Sequence, residues 1–135
     1  MLNELNSHLH IVAECLDEKH RMLFRSVRCD AIVPGIRIIG NLLAQEVSDP
    51  GVARMIDVIT SNLEGDTVFS TRVTAATPEL SYRELAKRLL DRDVNVMCVN
   101  RGDESHTHYA DLVPDVGDRV IYVAERRLGW AELCA

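Results

Sequence analysis

The chain has 135 residues, of which 47% are hydrophobic and 4% aromatic, and it carries a formal net charge of −6. This length suits one compact domain or two small subdomains, and the hydrophobic content is enough for an aliphatic core. The acidic balance argues against a nucleic-acid partner, because such proteins normally present a basic face. The sequence contains no apolar run long enough to cross a membrane and no signal-peptide pattern.

Four cysteines occur at positions 15, 29, 98 and 134, and no two of them form a C-x-x-C pair. Their spacing matches no zinc module. We interpret them as reduced, structural thiols of a protein in a reducing compartment.

The first half of the chain alternates between strand and helix signals. Residues 9–13 are mostly apolar and predict a buried parallel strand, and Asp17 is placed to cap a helix over 18–27. Residues 31–33 predict a second strand, which Pro34 ends. This order is typical of a βαβ unit, in which a helix crosses over a parallel sheet.

The next helix is predicted in the sequence GIRIIGNLLAQEV, and its apolar stripe is broader than packing on one sheet requires. Two interpretations are open. The helix is either fully buried in a core, or it packs both on its own domain and on a partner subunit. The residues that we assign to the second alternative are Ile36, Ile39, Leu42, Leu43 and Val47.

A further helix follows, for which Asp49 is the predicted cap and Pro50 the first residue. Its apolar positions share one face, and the segment 62–66 ends it. We place a domain boundary there, which gives domains of residues 1–64 and 65–135.

The second domain is predicted to be a small α+β unit of roughly β-α-β-β order. Ser81-x-x-Glu84 is a capping-box signature before a helix, and the apolar sequence VNVMCVN predicts a strand. A polar loop or hairpin over 101–108 and a turn at Gly117 precede the last strand, RVIYVAE.

The fold class is therefore α/β: the C-terminal part of a doubly wound, Rossmann-like parallel sheet, followed by a small α+β lobe. A parallel sheet of only two strands leaves an open edge and an exposed apolar face. We expect the remaining strands to precede residue 1 or to come from another chain.

Candidate chemistry is sparse. The chain contains no Gly-rich phosphate loop and no nucleophile elbow, and nothing positive indicates an enzyme. The pairs His8-x-His10 and His106-x-His108 each place two imidazoles on one face of a strand, but four ligands normally hold a metal ion. We prefer to interpret them as surface histidines.

Acidic residues cluster where the first strand ends. Glu14 follows that strand directly, at the edge where open α/β sheets bind ligands, and Asp17 and Glu18 are close by. Carboxylates of this kind can hold a hard cation such as calcium, which makes Glu14 the candidate metal ligand. The alternative is that Asp17 caps the helix and Glu18 stabilises its first turn.

Two long stretches together resemble one family. The stretch LNSHLHIVAECLDEKHRMLFRSVRCDAIVPGIRIIGNLLAQEV resembles the last third of the nucleotide-binding lobe of an RCK domain, the regulator of potassium conductance. The stretch TPELSYRELAKRLLDRDVNVMCVNRGDESHTHYADLVPDVGDRVIYVAE resembles the small C-terminal lobe of that family, with an R-G turn after one strand and a G-D turn before the last.

The resemblance implies a regulatory module rather than an enzyme. RCK domains are cytosolic, dimerise through the long helix, assemble into rings beneath a pore and couple ligand binding to gating. It implies a homo-oligomer, a membrane pore as partner, and a ligand site in the C-terminal lobe. The residues placed for such a site are Asn100, Arg101, His106 and His108, together with Glu14 and Asp17 in the first lobe.

Two departures from the family pattern bear on the cofactor. The nucleotide fingerprint is absent, so a dinucleotide site is incomplete in this chain, and the gating ligand, a divalent cation or a nucleotide, is not identified. Calcium-gated members carry a second carboxylate two residues after the strand-end glutamate, whereas this chain has Leu16. The competing interpretations are a fragment of a dinucleotide-dependent oxidoreductase and a freestanding small-molecule-binding module.

Overall fold

The computed structural model describes residues 9–61 and 65–135. The chain divides into two compact units, with the division after Arg54. The sequence placed the boundary later, in the segment 62–66. The hydroxyl of Thr67 donates to the carbonyl of Ile59 at 2.8 Å. The C-terminal end of the helix over 52–60 is therefore bonded to the first strand of the second unit.

The first unit contains the predicted strand–helix–strand order. Strand β1 (Val12–Glu14) pairs in parallel with β2 (Ala31–Val33), and helix α1 (Arg21–Ser26), preceded by a 3₁₀ turn (Glu18–His20), connects them. Helix α2 (Gly35–Ser48) follows β2 directly. The predicted βαβ unit is therefore confirmed.

The two predicted helix caps of this unit have different outcomes. The Asp17 carboxylate accepts a hydrogen bond from the Lys19 backbone N–H at 2.9 Å, so this cap is confirmed. Asp49 is not the cap of helix α3 (Val52–Thr60), because it accepts a hydrogen bond from the side chain of Gln45 instead. The Glu46 carboxylate takes that role and accepts from the N–H groups of Gly51 and Ala53, at 2.8 Å each.

The second unit is built on an antiparallel sheet. Its strands β3 (Thr67–Arg72), β4 (Asn95–Arg101), β5 (Glu104–His106) and β6 (Arg119–Ala124) lie in the order β3-β6-β4-β5. Helix α4 (Tyr82–Leu90) precedes β4 and packs on it, and helix α5 (Trp130–Cys134) follows β6. The predicted capping box of α4 is present, with Ser81 and Glu84 bonded reciprocally.

The core of the described chain lies in this second unit. Side chains from one face of the sheet pack against α4 and α5, and the fully buried ones include two tyrosines. The largest fully buried residues are Tyr82, Tyr122, Leu85, Leu89, Leu133, Val73, Val99 and Val120. The mixed α/β fold class predicted from the sequence is confirmed, with α5 as an additional element.

Candidate functional site

Glu14 lies at the carboxyl end of β1, paired in register with Val33. Its carboxylate is adjacent to Gly35, the first residue of α2: a Cβ built on Gly35 would lie 2.6 Å from Glu14 Oε1. The Glu14 carboxylate therefore lies beside the N-terminus of a 14-residue helix, where the helix dipole favours negative charge.

The other acids of this region have separate roles. The Asp17 carboxylate caps the 3₁₀ turn, and Glu18 forms an exposed ion pair of 2.7 Å with Arg37. Across residues 9–61 and 65–135, no three His, Cys, Asp or Glu side chains are grouped so that they could hold a metal ion. Glu14 as a metal ligand stays a prediction, and His8 lies outside the described residues.

The predicted ligand residues of the second lobe lie on or near the β4–β5 hairpin. Asn100 pairs with Ser105, whose hydroxyl donates to Asn100 Oδ1 at 2.7 Å. His106 pairs with Val99, and its Nε2 lies 3.5 Å from the Glu104 carboxylate. Because neighbouring residues of a strand point to opposite faces, Asn100 and His106 lie on opposite faces of the hairpin.

His108 follows the hairpin by two residues and is exposed, with its Nδ1 3.4 Å from the Thr107 hydroxyl. The structure thus brings Asn100, Arg101 and His106 into one hairpin without directing them at a common point. Their roles in ligand binding stay predictions.

Arg101 has an internal partner that the sequence did not indicate. Its Nε and Nη2 atoms each donate to the carboxylate of Asp118 at 2.8 Å, and Nη2 also donates to the carbonyl of Val113 at 2.8 Å. The hydroxyl of Tyr82 donates to the same carboxylate at 2.6 Å. We call the three side chains of Tyr82, Arg101 and Asp118 the Asp118 clamp.

Ionisation in the Asp118 clamp follows from burial and hydrogen bonding. Burial opposes the charge on Asp118, whose side chain is 2% exposed, but the hydrogen bonds from Arg101 and Tyr82 outweigh it. They lower the pKa of Asp118 to about 2. Burial, followed by the hydrogen bond to Asp118, raises the pKa of Tyr82 well above its usual value. The clamp therefore holds a carboxylate–guanidinium pair and a neutral phenol at physiological pH.

The long helix α2 carries the predicted interface residues on its exposed surface. Ile36, Ile39, Leu43 and Val47 are 61%, 60%, 66% and 86% exposed, and Leu42 is half-buried. The alternative of a fully buried core helix does not describe this chain, because no residue of α2 is buried. An apolar stripe of this size on a helix surface is typical of a contact with another polypeptide.

Known proteins that are similar to this chain include a potassium channel. No family model matches the chain. The calcium-gated potassium channel TvoK of Thermoplasma volcanium is 21% identical over 126 residues, which cover 93% of this chain and 36% of the channel. The chain thus spans about a third of the length of this relative. No helix in the described part of the chain is long and apolar enough to cross a membrane.

Among solved structures, the human SLO3 gating ring superposes with a TM-score of 0.67 at 11% identity, covering 93% of this chain and 28% of that one. The GsuK RCK domain is 18% identical over 90% of this chain and 26% of its own, but its TM-score of 0.39 is too low to support an argument.

The fold of this chain is similar to that of part of the human SLO3 gating ring. The resemblance to RCK domains that the sequence indicated is confirmed, since a relative of this chain is a potassium channel and its fold is similar to that of a gating ring.

Proposed function

We propose that this chain is a regulatory domain of a potassium channel or transporter, which lies at the cytoplasmic face of the membrane and controls the pore through association of copies. The fold of a gating-ring domain and the potassium-channel relative support this proposal. The observation that carries it is the exposed apolar stripe of α2, because an exposed apolar patch of this size is typical of a contact surface.

The energy available from this stripe is comparable to the cost of association. Burial of about five large aliphatic side chains contributes on the order of ten kcal/mol before the costs of association. Those costs are about 4–15 kcal/mol, so the stability of a dimer also depends on the surfaces that neighbour the stripe. Modest changes on this face are therefore expected to shift the assembly.

The mechanism that we propose is a population shift. A ligand that binds one arrangement of the paired lobes more tightly than another favours that arrangement, and the difference in affinity is the free energy available to the pore. Calcium is the first ligand to test, because the relative is named as calcium-gated. Leu16, and the absence among the described residues of three grouped His, Cys, Asp or Glu side chains, leave a nucleotide as the second ligand to test.

Flux measurements on the full coding region that contains this chain test the proposal. Rubidium flux is measured in vesicles, with calcium added or chelated and with a nucleotide added, for the wild-type protein and for Leu43→Asp. We expect ligand-dependent flux in the wild type and its loss in Leu43→Asp, because a charge on the stripe prevents association. The matched control is Leu90→Asp, which changes an exposed leucine of α4 and should leave the ligand response intact.

A wild-type protein that carries no rubidium with any of these ligands would contradict the proposed function. A ligand response that Leu43→Asp leaves unchanged would contradict the role of the α2 stripe alone.

A further inference from the structure

Residues 109–118 form an irregular segment, here called the strap, that lies along the N-terminus of α4. The carbonyl of Leu112 accepts from the Tyr82 N–H at 2.9 Å, and the carbonyl of Ala110 accepts from the Arg83 N–H at 3.3 Å. These two donors belong to the first turn of α4, whose N–H groups have no partner within the helix. The strap therefore completes the end of this helix.

One end of the strap is attached to β4, and the other is attached to Val73, the residue that follows β3. At one end, the Tyr109 hydroxyl donates to the Val96 carbonyl at 2.8 Å, and its ring meets the Tyr82 ring edge-on at 6.4 Å. At the other end, the Gly117 N–H donates to the Val73 carbonyl at 3.0 Å. The middle of the strap depends on the Asp118 clamp.

The Asp118 clamp joins the strap to α4 and β4 through one buried carboxylate. Asp118 accepts from Arg101 of β4, from Tyr82 of α4 and, at 3.1 Å, from the N–H of Asp115 within the strap. Arg101 extends the same connection to the carbonyl of Val113. Removal of any one donor leaves a buried charge less well compensated.

Few apolar side chains of the strap are fully buried. Pro114 is buried, and Tyr109 and Leu112 are half-buried against the core, whereas Val113 and Val116 are 44% and 57% exposed. Segments that rest on few buried apolar contacts and on a limited set of hydrogen bonds open locally, below the free energy of global unfolding. Opening would separate the strap from the first turn of α4 without disrupting the leucines of that helix.

We propose that the strap opens and closes as one local unit, and that the Asp118 clamp sets how often it opens. Arg101 is then a positioning residue that holds the strap against the β4–β5 hairpin, rather than a contact for a ligand. This inference does not depend on the proposed function. The side chains that it uses lie in the second unit, whereas the α2 stripe lies in the first.

Amide hydrogen exchange followed by NMR tests this inference, because three amides report on the strap. They are the amides at positions 82 and 83, which donate to strap carbonyls, and the amide at 115, which donates to Asp118. The amide of Val94, which donates to the Leu89 carbonyl at 3.0 Å, reports on the core at the other end of α4.

The variant is Tyr82→Phe, which removes one hydroxyl and keeps the ring. We expect exchange at positions 82, 83 and 115 to accelerate by about tenfold to a hundredfold, as follows from loss of a hydrogen bond to a charged group, and exchange at Val94 to change much less. Arg101→Lys, which lacks the bidentate contact, is expected to accelerate the same three amides.

The matched control is Tyr122→Phe. Tyr122 is also fully buried, and its hydroxyl bonds to Thr71 and to the Leu128 backbone, away from the strap. This variant should accelerate the Leu128 amide and leave the three strap amides near their wild-type rates. The inference would be overturned if Tyr82→Phe accelerated all amides equally or accelerated none of the three strap amides. It would also be overturned if Tyr122→Phe accelerated the three strap amides as much as Tyr82→Phe does.

Discussion

At the level of single residues, the Asp118 carboxylate links the acid stability of the chain to its fold. Its ordinary pKa of 3.8 is lowered to about 2 in the folded chain. A depressed pKa in the folded state contributes stability that is present above the unfolded value and is lost as pH falls through the folded value. The window for this loss is therefore from about pH 4 to about pH 2, and its size is about 2 kcal/mol.

Asp118→Asn should remove this titration. We expect the variant to be less stable at neutral pH, because Arg101 loses its charged partner, and to show a smaller decrease in the free energy of unfolding between about pH 4 and pH 2. Urea unfolding at a series of pH values measures both effects. Asp111→Asn is the control, since that carboxylate is 92% exposed and should keep the wild-type slope. An unchanged slope in Asp118→Asn would refute the role assigned to this carboxylate.

The contact between Arg101 and Asp118 could not be predicted from the sequence. Its position after an apolar strand and before a glycine indicated a turn with exposed polar groups, which suggested a ligand contact. The partner, Asp118, is 17 residues away in sequence and meets Arg101 only because β4 and β6 are neighbours in the sheet. The pairing of strands that are distant in sequence cannot be predicted from the spacing of neighbouring residues. The sequence therefore contained no local signal for the contact between Arg101 and Asp118.

At the level of elements, the second unit depends on the inner face of α4. Leu85 is fully buried in the core, whereas Leu90, on the same helix, is 57% exposed. Leu85→Ala should lower the free energy of unfolding by about 2–5 kcal/mol, because the transfer free energy of the side chain is lost and a cavity remains. Urea or thermal unfolding measures the change.

Leu90→Ala provides the comparison for this helix. It removes the same atoms from a site that keeps contact with water, so we expect a loss below about 1 kcal/mol. Similar losses in the free energy of unfolding for Leu85→Ala and Leu90→Ala would contradict the assignment of Leu85 to the buried face of α4.

The elements that were predicted well are those with strong local signals. The capping box at Ser81 and Glu84, the strand 31–33 and the cap at Asp17 depend on residues within a few positions of one another. Helix α5 was missed because its five residues are too few for helical periodicity to emerge. The cap of α3 was assigned to Asp49 because Glu46 reaches it only through a turn at Gly51, which has a φ of 104°.

At the level of the whole molecule, the fold class and the family resemblance could be read from the sequence because the order of strands, helices and turns is itself a long pattern. The surroundings of α2 could not be predicted from the sequence, because a broad apolar stripe fits both a buried core and a subunit interface. Only the exposure of Ile36, Ile39, Leu43 and Val47 in the folded chain separates these alternatives. The proposed assembly rests on that exposure.

The mass of the chain in solution shows whether copies of it associate through the α2 stripe. Light scattering is measured over a range of concentrations for the wild type, for Leu43→Asp and for Leu90→Asp as the control. We predict that the wild type and Leu90→Asp approach at least twice the 15.1 kDa of one chain as concentration rises, and that Leu43→Asp remains close to 15.1 kDa. A wild-type mass of one chain at every concentration, unaffected by Leu43→Asp, would rule out association through the α2 stripe.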